Sequence, residues 1–407
     1  MTGRKEIFTS LEKAKVKMFT CGPSIYNFPH LGNYRTYIYE DILQRYLEYL
    51  GYDVERLINF TDVEDKSIAE AREKEISLQE LTQPVADQFF EECKLLQIRL
   101  PGNIPRSSTS VDQAVKVIEA LLEKGYAYRY GKDIFFDPLK FKGFGKLYGL
   151  DMSRWPKKKY RFYKDTYPGQ RWNLGDFILW MGRRGNDENE IYWDTSLGEG
   201  RPSWNVQDPA MITKHLGYQV DISCGGVDNL FRHHDYNIAV IEALSGKQFA
   251  GYWIHGEHVL VNGIKMSKSR GNIVYLQDLL KGGYKPHHLR FYLCYTHYRE
   301  KLDLNEEPLQ LIRGKIDTFL ELVRIISEPE NESGKSDHQV PKLVDGMKSD
   351  FEKYMNDDLN IKDAFEALYK NLSKLGKIKI RGRLAKADRK RVTDNLKKID
   401  SVLKIIF

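Results

Sequence analysis

The sequence predicts an α/β fold in which a parallel sheet is split by an inserted lobe and followed by an α-helical bundle. Three observations carry this. Residues 15–60 run strand, helix-length crossover, strand. Parallel-sheet character returns after residue 215, beyond a region of turns and short aromatic strands. Beyond residue 275 the apolar side chains recur at helical spacing. Strands joined by long crossovers pair in parallel, because a tight hairpin cannot connect them.

Taken in order, Lys15 to Thr20 alternates polar and apolar and breaks at Cys21-Gly22-Pro23, a strand ending in a sharp turn. After Gly32, residues Tyr37, Ile42, Leu43, Tyr46, Leu47 and Leu50 mark a helix that stops at Gly51. Val54 to Phe60 is the second strand. Pro101 to Pro105 interrupts helical patterning and is a boundary. Residues 106–200 hold a helix from Val111 to Leu122, short aromatic strands and a basic arm, Pro156 to Arg171. A strand from His215 to Ser223, a glycine pair, a helix from Asp235 to Leu244 and a strand from Glu257 to Val261 restore the sheet. Leu309, Ile312, Ile316, Phe319, Val323 and Ile326 then fall on one helix face. Ser327 to Lys342 is a linker or mobile loop, with a helical segment after it.

Composition narrows the class. The chain has 407 residues, too many for one compact domain, and 41% of them are apolar, which excludes wholesale disorder. No apolar run approaches the roughly 20 residues of a membrane span, and the start lacks a signal-peptide pattern. Cys21, Cys93, Cys224 and Cys294 are widely separated, which argues against a disulfide scaffold or zinc ribbon and for a soluble cytoplasmic protein. The net charge is +6, but residues 370–398 alone hold twelve Lys or Arg against Asp388 and Asp394. Such a block suits phosphates; a solvated helical face is the plainer reading.

Three short motifs carry chemistry. Pro29-His30-Leu31-Gly32-Asn33 stands at a strand-to-helix turn, where an imidazole and a helix N-terminus both favour phosphate. Gly225-Gly226-Val227-Asp228 follows a strand, with a carboxylate suited to ribose hydroxyls. Lys265-Met266-Ser267-Lys268-Ser269 puts two lysines on a glycine-flanked loop, able to hold a departing pyrophosphate. Each is weak alone. Their order resembles the Rossmann-type catalytic domain of class I aminoacyl-tRNA synthetases.

Longer stretches resemble the cysteinyl-tRNA synthetase family: Cys21 to Tyr26, Asn59 to Lys66, Gly198 to Trp204, Val259 to Gly263 and Tyr354 to Asn360. The resemblance runs over roughly residues 15–407. It implies a catalytic domain at 1–104 and 202–262, a connective insertion at 105–201, a KMSKS loop and stem-contact region at 263–308 and a helical bundle at 309–407. It also implies attack of an amino acid carboxylate on the α-phosphorus of ATP, taken with Mg2+, and transfer of the aminoacyl group. By motif position His30, Asn33, Lys265 and Lys268 act on the phosphates. Gly32, Gly225, Gly226, Asp228 and Val259 hold ATP. Cys21, Gly22, Thr61, Trp204, Asp208 and His233 line the amino acid.

The family holds Zn2+ with two Cys, one His and one Glu. Here the matching positions are Cys21, Asp208, His233 and Asn237, so two ligands are replaced and Asn237 is a poor one. A metal-free pocket for a polar or cationic side chain is expected, with Cys93, Cys224 and Cys294 in the core. The chain ends at Phe407, where the family's anticodon-binding domain would begin, an extent similar to that of the mycothiol cysteine ligase. The acceptor expected is tRNA, held by its acceptor arm, and the protein is expected to be a monomer. Two other readings stand: transfer to a small amine or carrier, and a catalytically idle nucleotide- or amino-acid-binding module.

Overall fold

A computed structural model describes residues 4–156, 158–163, 175–185, 191–230, 232–267, 270–329 and 332–407. Lys268, Ser269 and much of the basic arm lie outside the described residues. The chain divides into two compact units.

The first unit comprises Met1–Pro29, Val54–Glu91 and Leu100–His255. Its main sheet has the order β2 (Asp53–Ile58), β1 (Lys15–Thr20), β8 (Val220–Gly226), β9 (Ala250–Gly256). β1 and β8 are parallel, with Met18 opposite Ile222 and Thr20 opposite Cys224, so both strands end on the same edge. In parallel sheets that carboxyl edge is where ligands bind. The helices α5 (Trp204–His215) and α7 (His233–Ser245) pack against one another and supply Ile212, Leu216, Ile238 and Ile241 to a core shared with Phe19, Leu57 and Phe249. Ser203 starts α5 by accepting the Asn205 N–H on its side chain, the usual way a first-turn donor is satisfied.

The inserted lobe is a second sheet, β3 (Ala127–Tyr130), β4 (Asp133–Phe136), β6 (Asp176–Gly182) and β5 (Arg161–Phe162), with β7 (Gly200–Pro202) paired to β6. Its aromatic strands bury Ile134, Phe136, Phe177 and Trp180 against the apolar face of α4 (Val111–Glu123). Before it come α2 (Asp65–Glu73) and α3 (Leu78–Leu95); α6 (Val227–Leu230) follows β8.

The second unit comprises His30–Asp53, Glu92–Arg99 and Gly256–Phe407. It opens with α1 (Leu31–Tyr49) and holds a small sheet, β11 (Ile264–Lys265), β10 (Val259–Val261), β12 (Leu302–Leu304). Helices α8 (Leu276–Lys281), α9 (Pro286–Tyr295), α10 (Glu306–Ser327), α11 (Val340–Met355), α12 (Ile361–Ile380) and α13 (Lys386–Leu403) follow. The buried residues of α10 are Leu309, Ile312, Ile316, Phe319, Val323 and Ile326, the face the spacing predicts. A buried ion triad fastens this unit: Asp41 accepts Arg45 Nε at 2.9 Å and Arg290 Nη2 at 2.7 Å.

Three expectations need correction. His215 closes α5 rather than opening a strand, which begins at Val220 because Ser203 caps a helix that runs on to His215. The strand at Glu257–Val261 is shorter, Val259–Val261, and pairs with β11 and β12 instead of extending the main sheet. The linker at Ser327–Lys342 is partly ordered: β13 (Glu332–Ser333) pairs with β14 (Leu384–Ala385), and α11 starts at Val340.

Candidate active site

In the first unit the carboxyl edge of the sheet carries a polar cluster. Cys21 follows β1 and donates its N–H to the Cys224 carbonyl at 3.2 Å. Asp208 projects from α5 and is fully buried. Its Oδ2 lies 2.7 Å from His233 Nε2 and 3.7 Å from Cys21 Sγ; its Oδ1 accepts Asn59 Nδ2 at 2.9 Å. Asn59 is held in turn by the Gly22 N–H at 3.1 Å. That approach needs a glycine, since a Cβ on Gly22 would stand 1.6 Å from the Asn59 carbonyl oxygen. The Trp204 ring stacks on His233 at 4.2 Å and 7°. Both pairs come from helical spacing: Trp204 and Asp208, and His233 and Asn237, are four apart on α5 and α7.

Cys21, Asp208 and His233 offer ligand atoms within 4.8 Å of one another. Their contacts, however, are those of hydrogen bonding. Two ligands of a tetrahedral zinc with bonds of about 2.0 Å stand roughly 3.3 Å apart, wider than the 2.7 Å between Asp208 and His233. Asn237 is buried, and neither its Oδ1 nor its Nδ2 has a hydrogen-bond partner among the described residues. The donors as placed do not fit the four-ligand zinc cage that the family resemblance implies. Cys224 is fully buried in β8, and Cys93 and Cys294 are core residues as expected.

Thr61 is buried beside Pro23 and Ile25, its N–H donating to the Pro23 carbonyl at 3.1 Å and its carbonyl accepting the Ile25 N–H at 3.0 Å. Gly225 and Gly226 end β8, and Asp228 lies in α6. Next to the cluster, His234 Nδ1 meets His255 Nε2 at 2.8 Å. Burial, with His255 and His233 beside it, pushes His234 well below the ordinary imidazole value, so it is neutral.

In the second unit His30 is the N-cap of α1. Its Nδ1 accepts the Gly32 N–H at 3.1 Å, and its own N–H donates to Asn33 Oδ1 at 3.0 Å. An accepting Nδ1 leaves the imidazole proton on Nε2, the atom that can donate to an anionic oxygen. Asn33 therefore spends its carbonyl oxygen on the cap and keeps Nδ2 as donor. Gly32 is required by the folded-back ring: a Cβ there would lie 2.9 Å from His30 Cε1 and 3.9 Å from Val259 Cβ.

Lys265 ends the β10–β11 hairpin, whose turn at Asn262-Gly263 is anchored by the Asp303 carboxylate accepting the Gly263 N–H at 2.9 Å. Asn272 straps the following loop: its Oδ1 accepts the Ser267 N–H at 2.9 Å and its Nδ2 donates to the Lys265 carbonyl at 3.2 Å. Arg35, one turn into α1, donates to four carbonyls: Glu257 and His258 before β10, and His297 and Glu300 before β12. Burial lowers this guanidinium to about 10, still charged at neutral pH. A lysine cannot reproduce the planar fork. Arg35→Lys is expected to cost about 2 kcal/mol by orphaning carbonyls, read by calorimetry; an unchanged transition would show that these bonds contribute nothing.

Asn59, His234, Arg35 and Asn272 are the residues that motif reading missed. Asn59 had a signal, since it opens one of the longer stretches, Asn59 to Lys66, and so did His234, in the same run as His233 and Asn237; Arg35 and Asn272 had none.

Comparison with known proteins adds the family. Residues 7–313 match the model for the class I (C) tRNA synthetase catalytic domain. The cysteine--tRNA ligase of Chlamydia pneumoniae is 38% identical over 408 residues, covering 99% of this chain and 84% of that one. That of Leptospira interrogans is 36% identical over 390 residues, covering 93% and 80%. Among solved structures, Mycobacterium tuberculosis methionyl-tRNA synthetase in complex with methionyl-adenylate superposes with a TM-score of 0.68 at 16% identity, over 96% of this chain and 90% of that one. That likeness establishes a shared fold. With the parallel sheet and helical C-terminal region described above, these matches place the chain in the cysteinyl-tRNA synthetase family of class I aminoacyl-tRNA synthetases, a family of ligases.

Proposed function

We propose that the protein activates an amino acid with MgATP and then transfers the aminoacyl group to tRNA. An amino acid carboxylate oxygen bonds to the α-phosphorus, the bond to the bridging oxygen breaks, and pyrophosphate leaves with its electron pair. The observation that carries this reading is His30: its Nδ1 is committed to the Gly32 N–H, which puts the imidazole proton on Nε2, at the N-terminus of a 19-residue helix. Lys265 and Lys268 would neutralise charge on the departing pyrophosphate, Asn33 Nδ2 would meet a phosphate oxygen, and Asp228 would take the ribose. Gly225, Gly226 and Val259 would border the nucleotide. Cys21, Gly22, Thr61, Trp204, Asp208 and His233 would surround the amino acid. No covalent enzyme intermediate is needed, so the rate comes from positioning and electrostatics.

For the acceptor, ten of the twelve cations of residues 370–398 are exposed on and between α12 and α13, Lys379 and Arg389 being the exceptions. We assign the 309–407 bundle to contact with the acceptor arm, through backbone phosphates rather than bases. The test is amino-acid-dependent exchange of labelled pyrophosphate into ATP over all amino acids, followed by tRNA charging. Exchange with one amino acid is expected; none across the panel would overturn activation. Binding of tRNA should weaken at least about tenfold between 50 and 200 mM salt. A flat salt profile in filter binding would instead favour a small amine or carrier as acceptor.

A further inference from the structure

The cluster around Asp208 has polar capacity that its own partners do not use. Asn59 and His233 each occupy one carboxylate oxygen, at 2.9 and 2.7 Å, and Cys21 Sγ reaches Oδ2 only at 3.7 Å. One helical turn beyond His233, Asn237 is 1% exposed with both amide atoms unpartnered among the described residues. Native interiors rarely leave a buried amide wholly unpaired, because each orphaned atom carries its full desolvation cost. Such a group is explained when a ligand completes it. The amide asks for one donor and one acceptor.

From this we infer that the pocket selects its amino acid without zinc, by hydrogen-bonding a side chain that ends in a hydroxyl or a carboxamide. This rests on the activation reading above and names the substrate class within it. A hydroxyl or carboxamide both donates and accepts, so it can answer both Asn237 Oδ1 and Nδ2. An ammonium would serve Oδ1 but leave Nδ2 without an acceptor. A neutral thiol donates and accepts weakly. A site built to hydrogen-bond a substrate O–H or N–H rejects analogues lacking it far more strongly than shape alone does.

The experiment uses the full chain purified from zinc-supplemented medium. Bound zinc is measured by mass spectrometry, and pyrophosphate exchange is followed with serine, threonine, asparagine, glutamine and cysteine, with and without a zinc chelator. Sub-stoichiometric zinc is expected, with exchange fastest for a hydroxyl or carboxamide amino acid and indifferent to the chelator. Asn237→Leu should raise the amino-acid KM by about tenfold or more while leaving the ATP KM unchanged. Stoichiometric zinc, with cysteine preferred and activity lost on chelation, would overturn the inference and leave amino-acid activation standing. If no amino acid supports exchange, activation itself fails. Calorimetric titration of serine and asparagine into the same protein then decides the pocket: binding tighter than that of cysteine supports it, and its absence overturns it.

Discussion

Replacing Asp41 with asparagine is expected to lower the unfolding free energy of the second unit by about 3–5 kcal/mol. Asp41 is fully buried, and its two neighbours Arg45 and Arg290 are 7% and 1% exposed. Both carboxylate oxygens are used: Arg45 Nε lies 2.9 Å from each, Arg290 Nη2 2.7 Å from Oδ2, and the Arg99 N–H 2.8 Å from Oδ1. Arg290 also donates to the Leu96 and Leu403 carbonyls, and Arg45 to that of Gln97. One side chain on α1 thus joins α9, the segment after α3 and the end of α13. A neutral amide would leave two guanidinium groups buried without a counter-charge, which is why losing one partner costs far more than the pair contributes net. Calorimetry should show a transition lower by roughly 10 °C; a shift of a degree or two would mean that water reaches the arginines.

The same carboxylate fixes a pH dependence. Burial alone would push the Asp41 carboxyl up, but Arg290 and Arg45 hold it below the ordinary range. Its folded pKa is therefore lower than its unfolded one. The stability it contributes is present above the unfolded value of about 3.9 and is lost as pH falls through the folded value. Below about pH 4 the wild type should lose stability more steeply with acid than Asp41→Asn, which has no carboxyl to titrate.

Much of this was legible in local sequence. Periodicity located the buried face of α10 residue by residue, because packing there depends only on 3.6-residue spacing. The Gly51 stop follows from an equally local signal; the pairing of β1 with β8 does not, since the partner strand lies beyond the inserted lobe. Motif position put Cys21, Asp208 and His233 in one cluster, and α5 and α7 do bring them together. Other parts were not legible for a physical reason. Arg35 bonds carbonyls more than 220 residues away, and backbone carbonyls leave no trace in residue identity. The edges of β8 and β10 were misplaced because short apolar runs suit helix ends and strands alike. The hydrogen-bonded state of Asp208 depended on Asn59, whose amide could as well have faced solvent.

The second large effect concerns His30, which does two things at once. Its Nδ1 caps α1 by accepting the Gly32 N–H, and this commitment leaves Nε2–H as the donor proposed for phosphate. His30→Ala removes both and so confuses a cap loss of about 1 kcal/mol with a catalytic one. His30→Asn separates them. Asparagine is among the preferred N-caps, so α1 should keep its start and the protein its unfolding temperature. The shorter amide stops short of the Nε2 position, so the donor is gone. Pyrophosphate exchange in His30→Asn is expected to fall roughly 100- to 1000-fold, the cost of removing one donor aimed at developing charge. The loss should sit in kcat with the amino-acid KM unchanged, since such an interaction strengthens only in the transition state. Lys265→Ala should show the same pattern, because it addresses the same departing charge, and the double variant should lose less than the sum of the two if the groups act as a unit. Near-normal exchange in His30→Asn would reduce His30 to a helix cap and leave the phosphate assignment without its imidazole.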